Sequence, residues 1–385
     1  PFPKYTDFNL LFYKFPCYFR RAAISSAIGK VSSYRSLKDN WIEEKDTAKT
    51  EGKKFTKKIP SLQLKHKEFP VFYKGNMFKR IDEHFVEIKL FIQNDWVWKT
   101  IQVKAIDLAK RNLSDWKVCN PKLIQIGKKY FLATSFEKEI KLNKTNIKDQ
   151  IIISVDLGLT KSAVCSAMKS NGTVIDRLFI NQSIEKDRMD HKLKQVKMAQ
   201  KEFGKIQAPT LWRKINGLQK HIVVDTSRRI VQFAKKHGAA VIVFEFLGKM
   251  KLTKGVFGAK RMREKLHFWS KIGVQNKTEE LAHYVGIRIS RINPRNTSKL
   301  AYDGSGEVRR SSRKDLAVFP TGKQYHADLN ASYNIGARYF IRGLLKTISE
   351  KKQLIFEAKV PLLSVRTQHS LSTLISFHQA IKSMT

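Results

Sequence analysis

Hydrophobic residues change their spacing several times along the 385-residue chain, and each change marks a segment. Cys17 to Val31 has helical spacing and the polar, charged run Lys38 to Lys58 follows it, so a helical stretch with a mobile connection is expected. Beyond residue 55 the period becomes two. Phe85-Val86-Glu87-Ile88-Lys89-Leu90 alternates, Gln93-Asn94-Asp95 supplies a turn, and Val97 to Val103 returns. A second pair, Leu123 to Ile126 and Tyr130 to Phe136, brackets Gly127-Lys128-Lys129, so hairpins of a small β-domain are expected up to about residue 148.

At Gln150 the pattern shifts again. Ile151-Ile152-Ile153-Ser154-Val155 is a continuous apolar run, as in a strand covered on both faces. Val164 to Met168 and Val174 to Ile180 follow, joined by Ser170-Asn171-Gly172-Thr173, which predicts an antiparallel meander. A basic helical region is interrupted at Pro209 and resumes with Leu211, Ile215, Leu218, Ile222, Thr226, Ile230 and Phe233 at spacings of three and four. Lys235-Lys236-His237-Gly238 stops it, and Val241 to Phe244 forms a fourth strand ending at Glu245. Strand, meander, helix and returning strand make an α/β sheet with a right-handed crossover.

Charge narrows the partners. Lys and Arg number 74 against 33 Asp and Glu, a formal net charge of +41, while 42% hydrophobic residues leave enough apolar side chains for real cores. So large an excess calls for a polyanion, and nucleic acid is the first expectation. No apolar run reaches the length of about 18 residues that a membrane span needs, and the apolar start (Phe8, Leu10, Leu11, Phe12) stops at Tyr13-Lys14. Neither a signal peptide nor a membrane partner is expected. Three dispersed cysteines (Cys17, Cys119, Cys165) predict neither a disulfide scaffold nor a cysteine zinc site. Gly29-Lys30 lacks Walker spacing, which excludes that ATPase motif.

Three acids carry candidate chemistry. Asp156 ends the first strand before Leu157-Gly158, Glu245 ends the fourth, and Asp328 precedes the helical run Tyr333 to Phe340, where its default role is an N-cap. If the first and fourth strands are parallel neighbours, both strand-end acids emerge where α/β sheets keep their sites, and Asp328 could fold back toward them. Grouped carboxylates are hard oxygen ligands for Mg²⁺, and two such ions stabilise the attacking and leaving oxygens in phosphodiester hydrolysis. Arg213, Lys214, Lys220, Arg228 and Arg229 share the exposed face of the long helix, a phosphate-facing surface or a solvated one. Trp269 and the Trp96/Trp98 pair read as packing residues before stacking platforms.

Val155-Asp156-Leu157-Gly158-Leu159-Thr160-Lys161, the Val241 to Leu247 segment with Glu245, and Ala327-Asp328-Leu329-Asn330-Ala331-Ser332-Tyr333-Asn334-Ile335-Gly336 resemble the three RuvC motifs of the TnpB family. These are transposon-encoded RNA-guided DNA endonucleases related to type V CRISPR effectors. Phe69-Pro70-Val71-Phe72-Tyr73-Lys74 resembles the start of that family's β-barrel, and Arg291 to Ser298 the run into its zinc ribbon. The resemblance implies an α/β plus β fold. Residues 1–55 would be a helical nucleic-acid recognition segment, residues 56–148 a wedge-like β-barrel and residues 149–340 an RNase H-like (RuvC) nuclease domain. Asp156, Glu245 and Asp328 would bind two Mg²⁺ ions as the catalytic triad, guide RNA and target double-stranded DNA would be the partners, and a prokaryotic cytoplasm, at the nucleoid, would be the setting.

One departure stands out. Where the family has paired C-x-x-C motifs, residues 293–325 offer Ala301, Gly304, Phe319 and Gly322, so a degenerate ribbon without zinc is expected, held by Leu316, Val318 and Phe319. Arg309, Arg310, Arg313 and Lys314 could contact phosphate there or lie in a solvated loop. Residues 341–385 extend past the family core and carry no assignment. A guided DNA-binding repressor without cleavage, or a strand-transferring transposase, are the competing readings.

Overall fold

Helix α1 (Cys17–Thr50) runs on for 34 residues, well past Val31, because nothing from Ser32 to Thr50 is Gly or Pro. The expected connection is therefore largely helix. The structure is a computed structural model that describes residues 10–52, 54–62, 69, 71–104, 113–158, 161–203, 208–247, 271–310 and 315–384. Trp269, Pro70, Leu159, Thr160, Arg313 and Lys314 lie outside the described residues. Two compact units divide at Glu139/Ile140, ahead of the expected boundary at 148. Residues 140–148 join the second unit through local ties: Asn143 N–H donates to Gly286 O at 2.8 Å, and Ile147 packs directly on Gly343.

In the first unit, β1 (Phe78–Arg80), β2 (Phe85–Ile92) and β3 (Asp95–Gln102) form an antiparallel sheet. The turn between β2 and β3 places both Gln93 (φ 49°) and Asn94 (φ 66°) in the left-handed region, the geometry whose twist matches a two-residue hairpin. β4 (Lys117–Val118) pairs with β7 (Phe136–Glu137), and β5 (Lys122–Ile126) with β6 (Lys129–Ala133). Phe19 of α1 packs its ring 4.4 Å from Trp96 over a core of Phe72, Met77, Val86 and Ile88. The expected barrel is not present as a closed sheet: among the described residues there are three separate sheets. Period-two alternation fixes which face of a strand is covered, but not whether the outer strands meet. With β4 and β7 only two residues long, little edge is available to pair.

The second unit is built on a five-stranded sheet in the order β10-β9-β8-β11-β12. β8 (Ile151–Asp156), β9 (Ala163–Lys169) and β10 (Val174–Ile180) are the predicted antiparallel meander; β11 (Val241–Glu245) lies parallel to β8. A fifth strand, β12 (Arg288–Ile292), is parallel to β11. Alternation along β8 sends Ile152 to one face and Ile153 and Val155 to the other. Two helices link β10 to β11: α2 (Ser183–Phe203) and α3 (Pro209–Lys236), the latter opening with the proline at its first turn. Ile230, Val231, Phe233 and Ala234 of α3 cover the Ile153 face, along with Val274 and Ala282 of α4 (Lys271–His283).

The opposite face is covered by α5 (Ala327–Leu345), buried along nearly its whole length. Gly336 allows the close approach: a Cβ there would sit 2.4 Å from Met168 Sδ and 3.2 Å from Ser154 Cβ. α6 (Glu350–Lys359) and α7 (Leu371–Lys382), in the unassigned C-terminal stretch, complete this core with Phe356, Leu374 and Phe377.

Between β12 and α5 lies a small antiparallel sheet of β13 (Arg309–Arg310), β14 (Leu316–Val318) and β15 (Gln324–His326). Ala301, Ala317, Phe319 and Ala327 form its core, with Tyr302 and Tyr325 packed against them. Phe319 is buried as expected, while Leu316 and Val318 are only half-buried and Ala317 takes the inner position of their strand. Both sites of the missing C-x-x-C pairs are tight turns: Gly304 N–H donates to Ala301 O at 3.2 Å and Gly322 N–H to Phe319 O at 2.9 Å.

Candidate active site

β8 and β11 run parallel in register, Val155 beside Phe244, so Asp156 and Glu245 leave the sheet at the same end. Asp328 reaches that end from the other side of the fold. It is the second residue of α5, and its Oδ2 lies 3.5 Å from where a Cβ of Gly158 would stand. That is ordinary van der Waals range; the tight neighbour of Gly158 is the Lys161 carbonyl oxygen, 2.8 Å from the same point. The cap of α5 belongs to His326 rather than Asp328: Leu329 N–H donates to His326 Nδ1 at 3.4 Å, and the imidazole rests edge-on to Phe179. This frees Asp328 from the capping role and leaves its charge in the helix's first turn, where the dipole favours it.

The electrostatics follow from that grouping. The Asp156 carboxyl is pushed up to about 8, first by loss of water and then by the charges of Glu245 and Asp328; Lys271 and Arg310 pull the other way. Lys271, at the start of α4, is shifted down by burial and held up by all three acids. Asp156 thus feels both of the other carboxylates. Three carboxylates are the hard oxygen donors that Mg²⁺ takes, and repulsion among them is what a divalent cation relieves, so the donor chemistry fits such an ion. The acids do not form a ready cage: among the described residues no group of three or more His, Cys, Asp or Glu is close enough to hold one ion.

Of the basic residues, Arg213, Lys214, Lys220, Arg228 and Arg229 are all exposed on α3. Arg229 is already committed, to Asp225 at 3.1 Å. Arg309 and Arg310 are exposed on β13, and only Arg310 is near enough for its charge to act on Asp156.

Two further groups bond to Glu245 and a third feels its charge. Gln275 Nε2 donates to its backbone oxygen at 2.8 Å, and the Thr297 hydroxyl hydrogen-bonds its Oε1. Arg338, buried in α5, is brought down to about 10 by loss of water, offset in part by the Glu245 charge. In the sequence, Asn330, Asn334 and Arg338 stand four apart in a largely apolar helix, a signal that polar partners must lie along one line of α5.

The sequence is similar to that of known proteins. The profile of the Aq_aa04 family matches residues 1–92. A TnpB-like protein, aq_aa05 of Aquifex aeolicus (strain VF5), is 24% identical over 232 residues, which are 55% of this chain and 75% of that protein. This agrees with the TnpB resemblance of the motifs. Among solved structures, a Cas12f1–sgRNA–target DNA complex is 16% identical, with 72% of each chain covered and a TM-score of 0.39. Alicyclobacillus acidoterrestris C2c1 with single-guide RNA is 10% identical over 76% of this chain and 58% of its own, at a TM-score of 0.46. No described helix is long and apolar enough to cross a membrane.

Proposed function

We propose that this TnpB-related chain is an RNA-guided DNA endonuclease whose hydrolytic site is Asp156, Glu245 and Asp328. The observation that carries the reading is the convergence of these acids, from two parallel strand ends and a helix start, into one electrostatic cluster. The five-stranded order, with three antiparallel strands followed by two parallel ones, is that of an RNase H-like sheet, and the RuvC reading rests on that order together with the motifs.

The three carboxylates would hold Mg²⁺, two ions in the full site. When bound, the metal would supply Lewis-acid stabilisation of the attacking and leaving oxygens. The chain's own residues do the rest. Thr297 and Gln275 orient Glu245; Arg310 offers a cation beside the acids to a nearby phosphate. The exposed face of α3, with Arg213, Lys214, Lys220 and Arg228, adds sequence-independent affinity for a phosphate backbone. Guide RNA and target duplex are the proposed partners, with base pairing supplying sequence choice. The insert around Phe319 is proposed to fold on its aromatic core without zinc.

The test is to purify the chain with its co-expressed RNA, sequence that RNA, and challenge the complex in Mg²⁺ with a plasmid matching the guide. Guide-dependent cutting is expected. Protein free of RNA that cuts regardless of sequence would refute guidance, and tight guided binding without cutting would favour the repressor reading.

A further inference from the structure

Thr297 lies in the segment between β12 and the small sheet, 1% exposed, with its hydroxyl on Glu245 Oε1. That hydroxyl has one proton and two acceptors within reach, the carboxylate and the Pro294 carbonyl at 2.9 Å. An ionised carboxylate is the stronger acceptor. A half-buried glutamate at a strand end has several rotamers open to it, and one fixed donor on one of its oxygens removes most of that freedom.

The segment that carries Thr297 is held by three side chains of α5. Asn334 Nδ2 donates to Thr297 O at 3.0 Å and to Leu300 O at 2.8 Å; Asn330 Nδ2 donates to Leu300 O at 2.8 Å. Arg338 Nη1 donates to Asn293 O at 3.0 Å and Arg295 O at 2.6 Å, so both ends of the turn that carries Thr297 are tied to α5. The same side chains reach the C-terminal stretch: Arg338 Nη2 donates to Thr367 O at 2.9 Å, Arg338 Nε to His369 O at 3.2 Å, and Leu371 N–H to Asn334 Oδ1 at 3.2 Å. A buried guanidinium bonded to four carbonyls is a costly way to close a loop, because its charge has left water with no carboxylate partner among these bonds. Such a cost is tolerated where the loop position matters.

We infer that Thr297 is a positioning residue that sets the Glu245 carboxylate, and that Asn330, Asn334 and Arg338 on α5, together with residues 367–371, form the brace that keeps it there. The inference rests on the proposed metal-binding role of Glu245. It also gives the C-terminal stretch a part in the site, although none of its residues touches an acid in these bonds.

The test measures Mn²⁺ binding by electron paramagnetic resonance on the RNA-loaded full chain, alongside thermal unfolding in chelator. Thr297→Val keeps the shape and removes the donor; Thr297→Ser keeps the donor. Thr297→Val is expected to weaken Mn²⁺ binding about 10- to 100-fold, the usual cost of losing a hydrogen bond to a ligand. Thr297→Ser should stay within about threefold of wild type, and in a Glu245→Gln background Thr297→Val should add nothing further, since the two act as one unit. If Thr297→Val disturbs folding, Thr297→Ala compared with Thr297→Ser gives the same contrast. Equal Mn²⁺ affinity in folded Thr297→Val and Thr297→Ser would overturn the inference while leaving the metal site intact. Wild-type protein that binds no Mn²⁺, or binds it no better than Asp156→Ala, would instead refute the metal reading and the inference with it.

Discussion

Replacing Gly336 by Ala tests how the helix that carries Asp328 is seated. The added Cβ would fall 2.4 Å from Met168 Sδ and 3.2 Å from both Cβ and Oγ of Ser154. Met168 and Ser154 are both fully buried in strands β9 and β8, so neither can swing into solvent. The methionine must change rotamer within a filled core or α5 must lift from the sheet, and overpacking of this kind costs about 1–3 kcal/mol. For a unit of this size that is a fall in Tm of about 2–12 °C. Any lift also moves Asp328, eight residues earlier on the same rigid helix, and misplacement by about 1 Å can cost 100-fold in rate. Met168→Ala removes the clashing sulfur at the cost of a cavity, so the double variant should be more stable than the two single losses predict, by about 0.5–3 kcal/mol. Calorimetry and guided plasmid cleavage read both effects. A Gly336→Ala protein with wild-type Tm and cleavage, or strict additivity with Met168→Ala, would refute the packing argument.

The Asp156 carboxyl is raised to about 8 in the folded chain, against about 3.9 unfolded. Between those values the folded state keeps a proton that the unfolded state has released, so this group's contribution falls as pH rises through the window. In chelator, the Tm of wild type relative to Asp156→Asn should decline from pH 5 to pH 9; a flat difference would contradict the coupling. Phe319→Ala should unfold the small sheet locally, raising amide exchange across residues 299–310 and 315–326, because Phe319 is 2% exposed and truncating a buried Phe costs about 3–5 kcal/mol. Unchanged exchange would show that another part of the insert holds it, and stoichiometric zinc in purified protein would show that a metal does. Changing Arg213, Lys214, Lys220 and Arg228 together to Gln should make the salt dependence of nucleic-acid binding shallower, by about 0.7–0.9 in log-log slope for each phosphate no longer neutralised. An unaltered slope would make this face merely solvated.

The sheet was legible because its signal is local. The run Ile151 to Val155 and the seven-residue stripe of α3 each declare their burial within one element. β12 was less visible: Arg288-Ile289-Ser290-Arg291-Ile292 sets its two isoleucines three apart and so does not alternate, and its two arginines further disguise a strand in which Arg342 reaches Ser290 Oγ and Arg291 O. The barrel failed for a different reason, since closure depends on which edges meet. The acids could be proposed from their positions at strand ends and a helix start. Thr297 could not, because its meaning lies in a hydrogen bond to a residue 52 positions away. Asn330, Asn334 and Arg338 were visible as a polar row, yet a row says only that partners exist.

The central claim is that Asp156, Glu245 and Asp328 form one hydrolytic site, and single alanine substitutions on the guide-loaded chain test it most directly. Cleavage of a guide-matched plasmid in Mg²⁺ is measured beside gel-shift binding of the same duplex. Each variant should lose cutting while retaining binding, since each removes a carboxylate and leaves the cationic surface intact. Wild-type cleavage by any one of the three variants would remove that residue from the site and contradict the account.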